Sequence, residues 1–150
     1  MMVIVSLFTL LGHLGDATVE HVAHHLPVII ADFLRKAFKD MSPRLINPAL
    51  VADLLARSIV AFDDAIAGDV LDLFPGGIAG LSELSDDQIR MTINDQFVGG
   101  SNYKKAKLCM YGTTALVALV DPDHENLWVA NVGDCQASCV LPITSEIREY

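Results

Sequence analysis

Residues 111–137, YGTTALVALVDPDHENLWVANVGDCQA, decide how the chain folds. Thr113 to Val120 is a nearly unbroken apolar run rich in β-branched residues, and Leu127 to Val132 is a second. Between them lies Asp121-Pro122-Asp123-His124-Glu125-Asn126, a stretch of turn formers, so the segment reads as a β-hairpin. Leu116, Ala118 and Val120 alternate with Ala115, Val117 and Leu119, leaving the first strand apolar on both faces, which suits a central place in a layered domain. Gly133-Asp134 ends the second strand with a flexible backbone and a carboxylate, a common place for a ligand or metal group.

Outward from the hairpin, Cys135 to Leu141 is expected to be a third strand, and Val3 to Thr9 a buried strand at the other end of the chain. The glycine-punctuated stretch Leu10 to Gly15 reads as a loop, after which Asp16 can cap a helix whose apolar positions run from Val19 to Ala37. Pro27 removes one helical hydrogen bond, so a kink or a break is expected there. Asn47-Pro48 begins a second long helix with an apolar stripe at Val51, Leu54, Leu55, Ile59, Phe62, Ile66 and Val70. Its other face carries Asp53, Asp63, Asp64 and Asp69 and should be solvated. Pro75-Gly76-Gly77 ends that helix, with loop expected to Leu84, then a capping box at Ser85 and Gln88 opening a helix to about Phe97 that Gly99-Gly100 closes. Residues 101–110, with Lys104, Lys105 and Lys107, read as a basic connector. Strand, long helices and then sequential strands make an α+β layout, with long helices on one face of an antiparallel sheet.

The 150 residues allow one domain with a real core, and 52% hydrophobic against 19% charged residues argues against disorder. A net charge of −9 argues against a phosphate-backbone binding surface and suits a protein that collects divalent cations, so nucleic acid is not an expected partner. Three cysteines supply no disulfide framework; Cys109, Cys135 and Cys139 are read as buried thiols of a reducing compartment. Met1 to Leu11 is apolar but too short to span a bilayer and lacks a basic leader, so neither a membrane nor an Arg-rich presequence is expected.

The blocks Gly112-Thr113-Thr114-Ala115, Val129-Ala130-Asn131-Val132-Gly133-Asp134 and Cys135-Gln136-Ala137 resemble, in order, spacing and composition, those of the PPM (type 2C) metal-dependent serine/threonine protein phosphatases. There a Gly-Ser/Thr-Thr-Ala strand is followed by Val-Ala-Asn-Val-Gly-Asp and Ser-Arg-Ala. Near the start, Leu10-Leu11-Gly12-His13-Leu14-Gly15 is similar to the family's Phe-Asp-Gly-His-Gly-Gly. The resemblance runs from Phe8 to about Val140, and the long insert between the motifs is most like the pyruvate dehydrogenase phosphatase branch. It implies an α-β-β-α sandwich of which residues 1–150 form an incomplete domain, and a Mn²⁺- or Mg²⁺-dependent hydrolysis of phosphoserine and phosphothreonine in a phosphoprotein. An intracellular place, cytoplasm or mitochondrial matrix, goes with it.

In the family, the aspartate of Asp-Gly-His bridges two metal ions, the glycine lends a carbonyl, and the metal-bound water attacks phosphorus. Leu11 stands at that aspartate position and has no donor atom. What the resemblance retains is the Gly12 carbonyl and Asp134 as metal ligands, with His13 as a possible general acid by resemblance. Read without the resemblance, Asp134 is a strand-end carboxylate that caps backbone N–H groups, and His13 a loop residue bonding nearby backbone. The family's arginine and Glu-Asp pair, and two more metal aspartates, belong to sequence before and after this region, so the chain by itself is expected to be inactive. The alternative is a non-catalytic interaction protein built on the same half-fold, self-associating or binding a partner through an uncovered sheet face. His21 and His25 have the four-residue spacing of a helical zinc pair, but no glutamate intervenes and no third ligand is evident, so helix-surface histidines, His24 included, are the expectation.

Overall fold

The computed structural model describes residues 4–8, 12–13, 15–40, 47–121 and 123–136. In chain order these form β1 (Ile4–Phe8), β2 (Gly12–His13), α1 (Ala17–Ala37), α2 (Pro48–Leu71), α3 (Gly77–Ser82), α4 (Asp86–Ile93), a 3₁₀ turn (Gln96–Val98), α5 (Ser101–Met110), β3 (Gly112–Thr113), β4 (Ala115–Val120) and β5 (Leu127–Val132). The fold is α+β, as the element pattern predicts.

Strand β4 is the middle of an antiparallel sheet ordered β1-β4-β5, and β2 with β3 forms a separate two-stranded ladder. The register sets Val117 opposite Ala130 and Leu119 opposite Trp128 on one face, and Ala118 opposite Val129 and Val120 opposite Leu127 on the other. Val117 and Leu119 are fully buried and belong to one apolar core with Val22, Leu26, Ile30 and Leu34 of α1 and Val51, Leu55 and Phe62 of α2. The two long helices therefore cover one face of the sheet, and each fully buried aliphatic side chain contributes about 1.5–3 kcal/mol. On strand β5, Leu127 and Val129, on the face away from those helices, are 52% and 49% exposed.

Helix α1 passes through Pro27 without a break, its buried positions Thr18, Val22, Leu26, Ile30 and Leu34 spaced four apart on a single stripe. Tertiary burial of that stripe outweighs the one hydrogen bond lost at proline. Asp16 stands at the N-cap of α1 but its side chain makes no cap bond, contrary to the expectation. Asn47 does cap α2, its Oδ1 accepting from Ala49 N at 2.9 Å, with Pro48 at the first helical position. The acidic face is solvated as expected, Asp53, Asp63, Asp64 and Asp69 all being exposed. Across the sheet, Trp128 Nε1 donates to the Pro48 carbonyl at 3.0 Å and ties β5 to the start of α2.

Five stretches differ from the sequence expectation, the first being Gly12–His13, which is the short strand β2 within the expected loop. Residues 77–82 are helix α3 rather than loop, and residues 101–110 are helix α5 rather than a connector. Helix α4 has its Ser85/Gln88 capping box but stops at Ile93. Cys135 and Gln136 carry no strand, and the rest of the expected strand to Leu141 lies outside the described residues. Helix α5 is anchored through Asp95, whose carboxylate accepts from Asn102 N (2.8 Å) and Tyr103 N (3.1 Å). These bonds satisfy the N–H groups of the first turn and hold the Asp95 carboxyl below its usual range.

Candidate functional site

The motif segments meet at one corner of the fold, Gly12-His13 coming from the start of the chain and the other two from the hairpin near its end. Gly12 pairs with Thr113 and His13 with Gly112 in the β2-β3 ladder, which brings the Gly12-His13 motif beside Gly112-Thr113-Thr114-Ala115. Ala115 pairs with Val132, so the end of β5 and the Gly133-Asp134 turn close the same corner. Gly133 has φ +88° and packs directly on Thr114, and Cys135 Sγ donates to Thr114 Oγ1 at 3.1 Å. Below this corner, the Thr18 hydroxyl at the start of α1 donates to Tyr111 O at 2.9 Å and approaches Leu108 O at 3.3 Å, fixing α1 to the chain that enters β3.

Asp134 is exposed at the corner, and among the described residues its carboxylate accepts no hydrogen bond. The turn is stapled instead by Asn131, whose Nδ2 donates to Gly133 O (3.2 Å) and Cys135 O (2.9 Å). The opposite end of the hairpin is organised by Asp121, which accepts from Glu125 N, Asn126 N and Asn126 Nδ2 at 2.8, 3.0 and 2.7 Å and so has its carboxyl held low. Leu11 lies outside the described residues, and His13 is placed by its backbone pairing alone.

The donors that the sequence assigns to this corner are one backbone carbonyl and one carboxylate. Two hard dications sharing a water need several more anionic oxygens, and among the described residues no group of three or more His, Cys, Asp and Glu side chains could hold a metal ion. The described residues do not supply the ligands of a two-metal centre.

The thiols are not buried as expected: Cys109 is exposed and Cys135 is half-buried, while Cys139 lies outside the described residues. Cys109 Sγ points at Ile66 O (3.5 Å), and partial burial followed by the nearby Asp63 and Asp69 pushes its pKa up, so it is a poor nucleophile. His21 and His25 do share a face of α1, with ring centroids 4.4 Å apart, and His21 stacks on Phe62 of α2 at 5.6 Å. Among the described residues no helix is long and apolar enough to cross a membrane.

A family model described as Protein phosphatase 2C matches residues 79–143, from within α3 through the hairpin and beyond β5. The match supports the PPM-type phosphatase family on the stretch that carries the Gly112–Ala115 and Val129–Asp134 blocks, and that family is generally metal-dependent and acts on phosphoproteins. It does not reach the Gly12-His13 motif or the helices α1 and α2. No curated protein and no solved structure matches the chain.

Proposed function

We propose that this chain is part of a PPM-type serine/threonine protein phosphatase fold that keeps the scaffold of the site and has lost its metal-bridging ligand, so that by itself it does not hydrolyse phosphoproteins. The observation that carries the reading is the pairing of Gly12-His13 with Gly112-Thr113, about a hundred residues on, beside the end of the hairpin that carries Gly133-Asp134. Random apolar hairpins have no reason to bring those blocks together. Leu11 directly precedes Gly12 in the sequence, stands where the family's motif has its bridging aspartate, and carries no donor atom. Gly12 through its carbonyl and Asp134 are the ligand positions that remain, with His13 beside them, and they leave Mn²⁺ or Mg²⁺ weakly held. The long α1 and α2 are what favours the pyruvate dehydrogenase phosphatase branch, and an intracellular location in cytoplasm or mitochondrial matrix accompanies the family reading.

The test is turnover of a phosphothreonine peptide and an aryl phosphate by the purified chain in millimolar Mn²⁺ or Mg²⁺. Background rates are expected, and Leu11→Asp alone is expected not to raise them, because one carboxylate does not assemble a two-metal site.

A second reading, a non-catalytic protein that works through its sheet, is favoured by one observation. Leu127 and Val129 lie side by side along β5 on the face away from α1 and α2, and both are about half exposed. Among the described residues β5 is also a sheet edge, so a partner or a second copy can extend the sheet there as well as cover it.

A further inference from the structure

The chain is acidic overall, yet three of its ten basic residues and three of its five histidines line one cleft. The cleft, about 770 Å³, runs between the first half of α1 and the length of α5. His21, His24 and His25 line the α1 side; Lys104, Lys105 and Lys107 line the α5 side; the carboxylates present are Glu20 and Asp69.

The cations are held in place. Lys107 lies 5.3 Å from the ring of Tyr111 and 5.8 Å from that of Tyr103, which orient its ammonium. Lys105 stands 3.7 Å from Asp69, so the one carboxylate that faces His21 from α2 is already partnered. That pairing argues against a cation ligand for the histidines, since a metal ion drawn to His21, His25 and Asp69 must displace one ammonium and approach two others. The N–H groups of the first turn of α5 are taken by Asp95, so the attraction for an anion comes from side chains and not from the helix end.

We propose that this cleft is a binding site for a tetrahedral oxyanion of the phosphate and sulfate class, held by Lys104, Lys105 and Lys107 and strengthened when His21, His24 and His25 take up protons. With the histidines neutral, the three lysines face two carboxylates; with them protonated, the cleft becomes strongly positive. Burial, then His25 and His24, hold His21 below its usual pKa against the pull of Asp69, and a bound dianion opposes that shift. The site lies on α1 and α5 and uses neither Gly12 nor Asp134, so it stands or falls apart from the phosphatase reading.

The test is NMR of the histidine ring signals during titration with sodium sulfate, which stays dianionic throughout, at fixed low ionic strength set with chloride. Saturable shifts of His21, His24 and His25 in the millimolar range are expected, with sulfate bound roughly fivefold more tightly at pH 5.5 than at pH 8. The pair Lys104→Gln and Lys107→Gln should weaken binding at both pH values. The pair His24→Gln and His25→Gln, on exposed positions, should lose most of the gain at pH 5.5. Inorganic phosphate and phosphoserine compared at pH 8, where both are dianionic, tell a free from an ester-borne oxyanion, and tighter binding of either supports the site. Shifts that stay linear to tens of millimolar, or that ignore the lysine changes, overturn the proposal. So does saturation of the same rings by micromolar Zn²⁺ while sulfate leaves them unmoved.

Discussion

Thr114 fills the space that a side chain at position 133 would need. A Cβ on Gly133 would lie 2.7 Å from Thr114 Cγ2, and the residue sits at φ +88°, where any other L-residue is strained. The contact joins the Gly-Thr-Thr-Ala and Val-Gly-Asp blocks, so glycine is demanded twice, by backbone conformation and by packing.

Gly133→Ala is accordingly expected to destabilise the fold by about 1–3 kcal/mol in denaturant unfolding. Thr114→Ser removes the methyl and keeps the hydroxyl that Cys135 reaches, so the double variant should recover the steric part of the loss and not the conformational part. Strict additivity of the two changes would contradict the contact.

Thr18 is buried, and its hydroxyl bridges α1 to the Tyr111 carbonyl. Thr18→Val keeps the shape and removes the donor, leaving half-buried carbonyls at Tyr111 and Leu108 less well satisfied. A loss of about 1–3 kcal/mol is expected, measured by thermal or chemical unfolding. An unchanged midpoint would show that the bridge contributes nothing.

His21 sets a pH dependence. Its folded pKa is lowered, chiefly by burial, so between that value and the unfolded value of about 6.5 the unfolded chain binds more protons. Stability should rise with pH through this window and level off above it. In a chloride buffer free of oxyanions, Tm is expected to fall from pH 7.5 to pH 5.5, and less steeply in His21→Gln. Equal slopes in the two proteins would assign the dependence elsewhere.

The uncovered part of the sheet predicts association. Leu127 and Val129 are exposed beside each other on a strand that is the sheet's edge among the described residues, and chain copies can bury them against one another. Size-exclusion chromatography with light scattering should find dimers or larger species that Leu127→Lys with Val129→Glu shifts toward monomer. A monodisperse monomer that binds no hydrophobic dye would contradict this.

What was legible in the sequence was what depends on local pattern. The hairpin declared itself because Ala115 to Val120 is apolar without a gap and Asp121 to Asn126 is dense in turn formers; the start of α2 did so through Asn47-Pro48, and α4 through Ser85 and Gln88. Helix α5 was hidden because only Ala106 in it is buried and its cap, Asp95, lies six positions before Ser101 across a 3₁₀ turn. Helix α3 was hidden by Gly77 and Gly80, which read as loop. The corner itself could be expected only through resemblance: a two-residue ladder such as Gly12-His13 with Gly112-Thr113 has no periodicity, and its partners are separated by most of the chain. The cleft between α1 and α5 is equally invisible in the sequence, for only as a helix does the stretch 101–110 bring Lys104, Lys105 and Lys107 to a cleft shared with the α1 histidines.

The most direct test of the account is phosphatase turnover by the purified chain with a phosphothreonine peptide in millimolar Mn²⁺, run beside Asp134→Ala. The account predicts the same background rate for both proteins, with and without metal, because the carboxylate that would bridge the ions is replaced by Leu11. Metal-dependent turnover that Asp134→Ala abolishes would contradict it, and would mean that the corner where Gly12, Thr113 and Asp134 meet is a working centre.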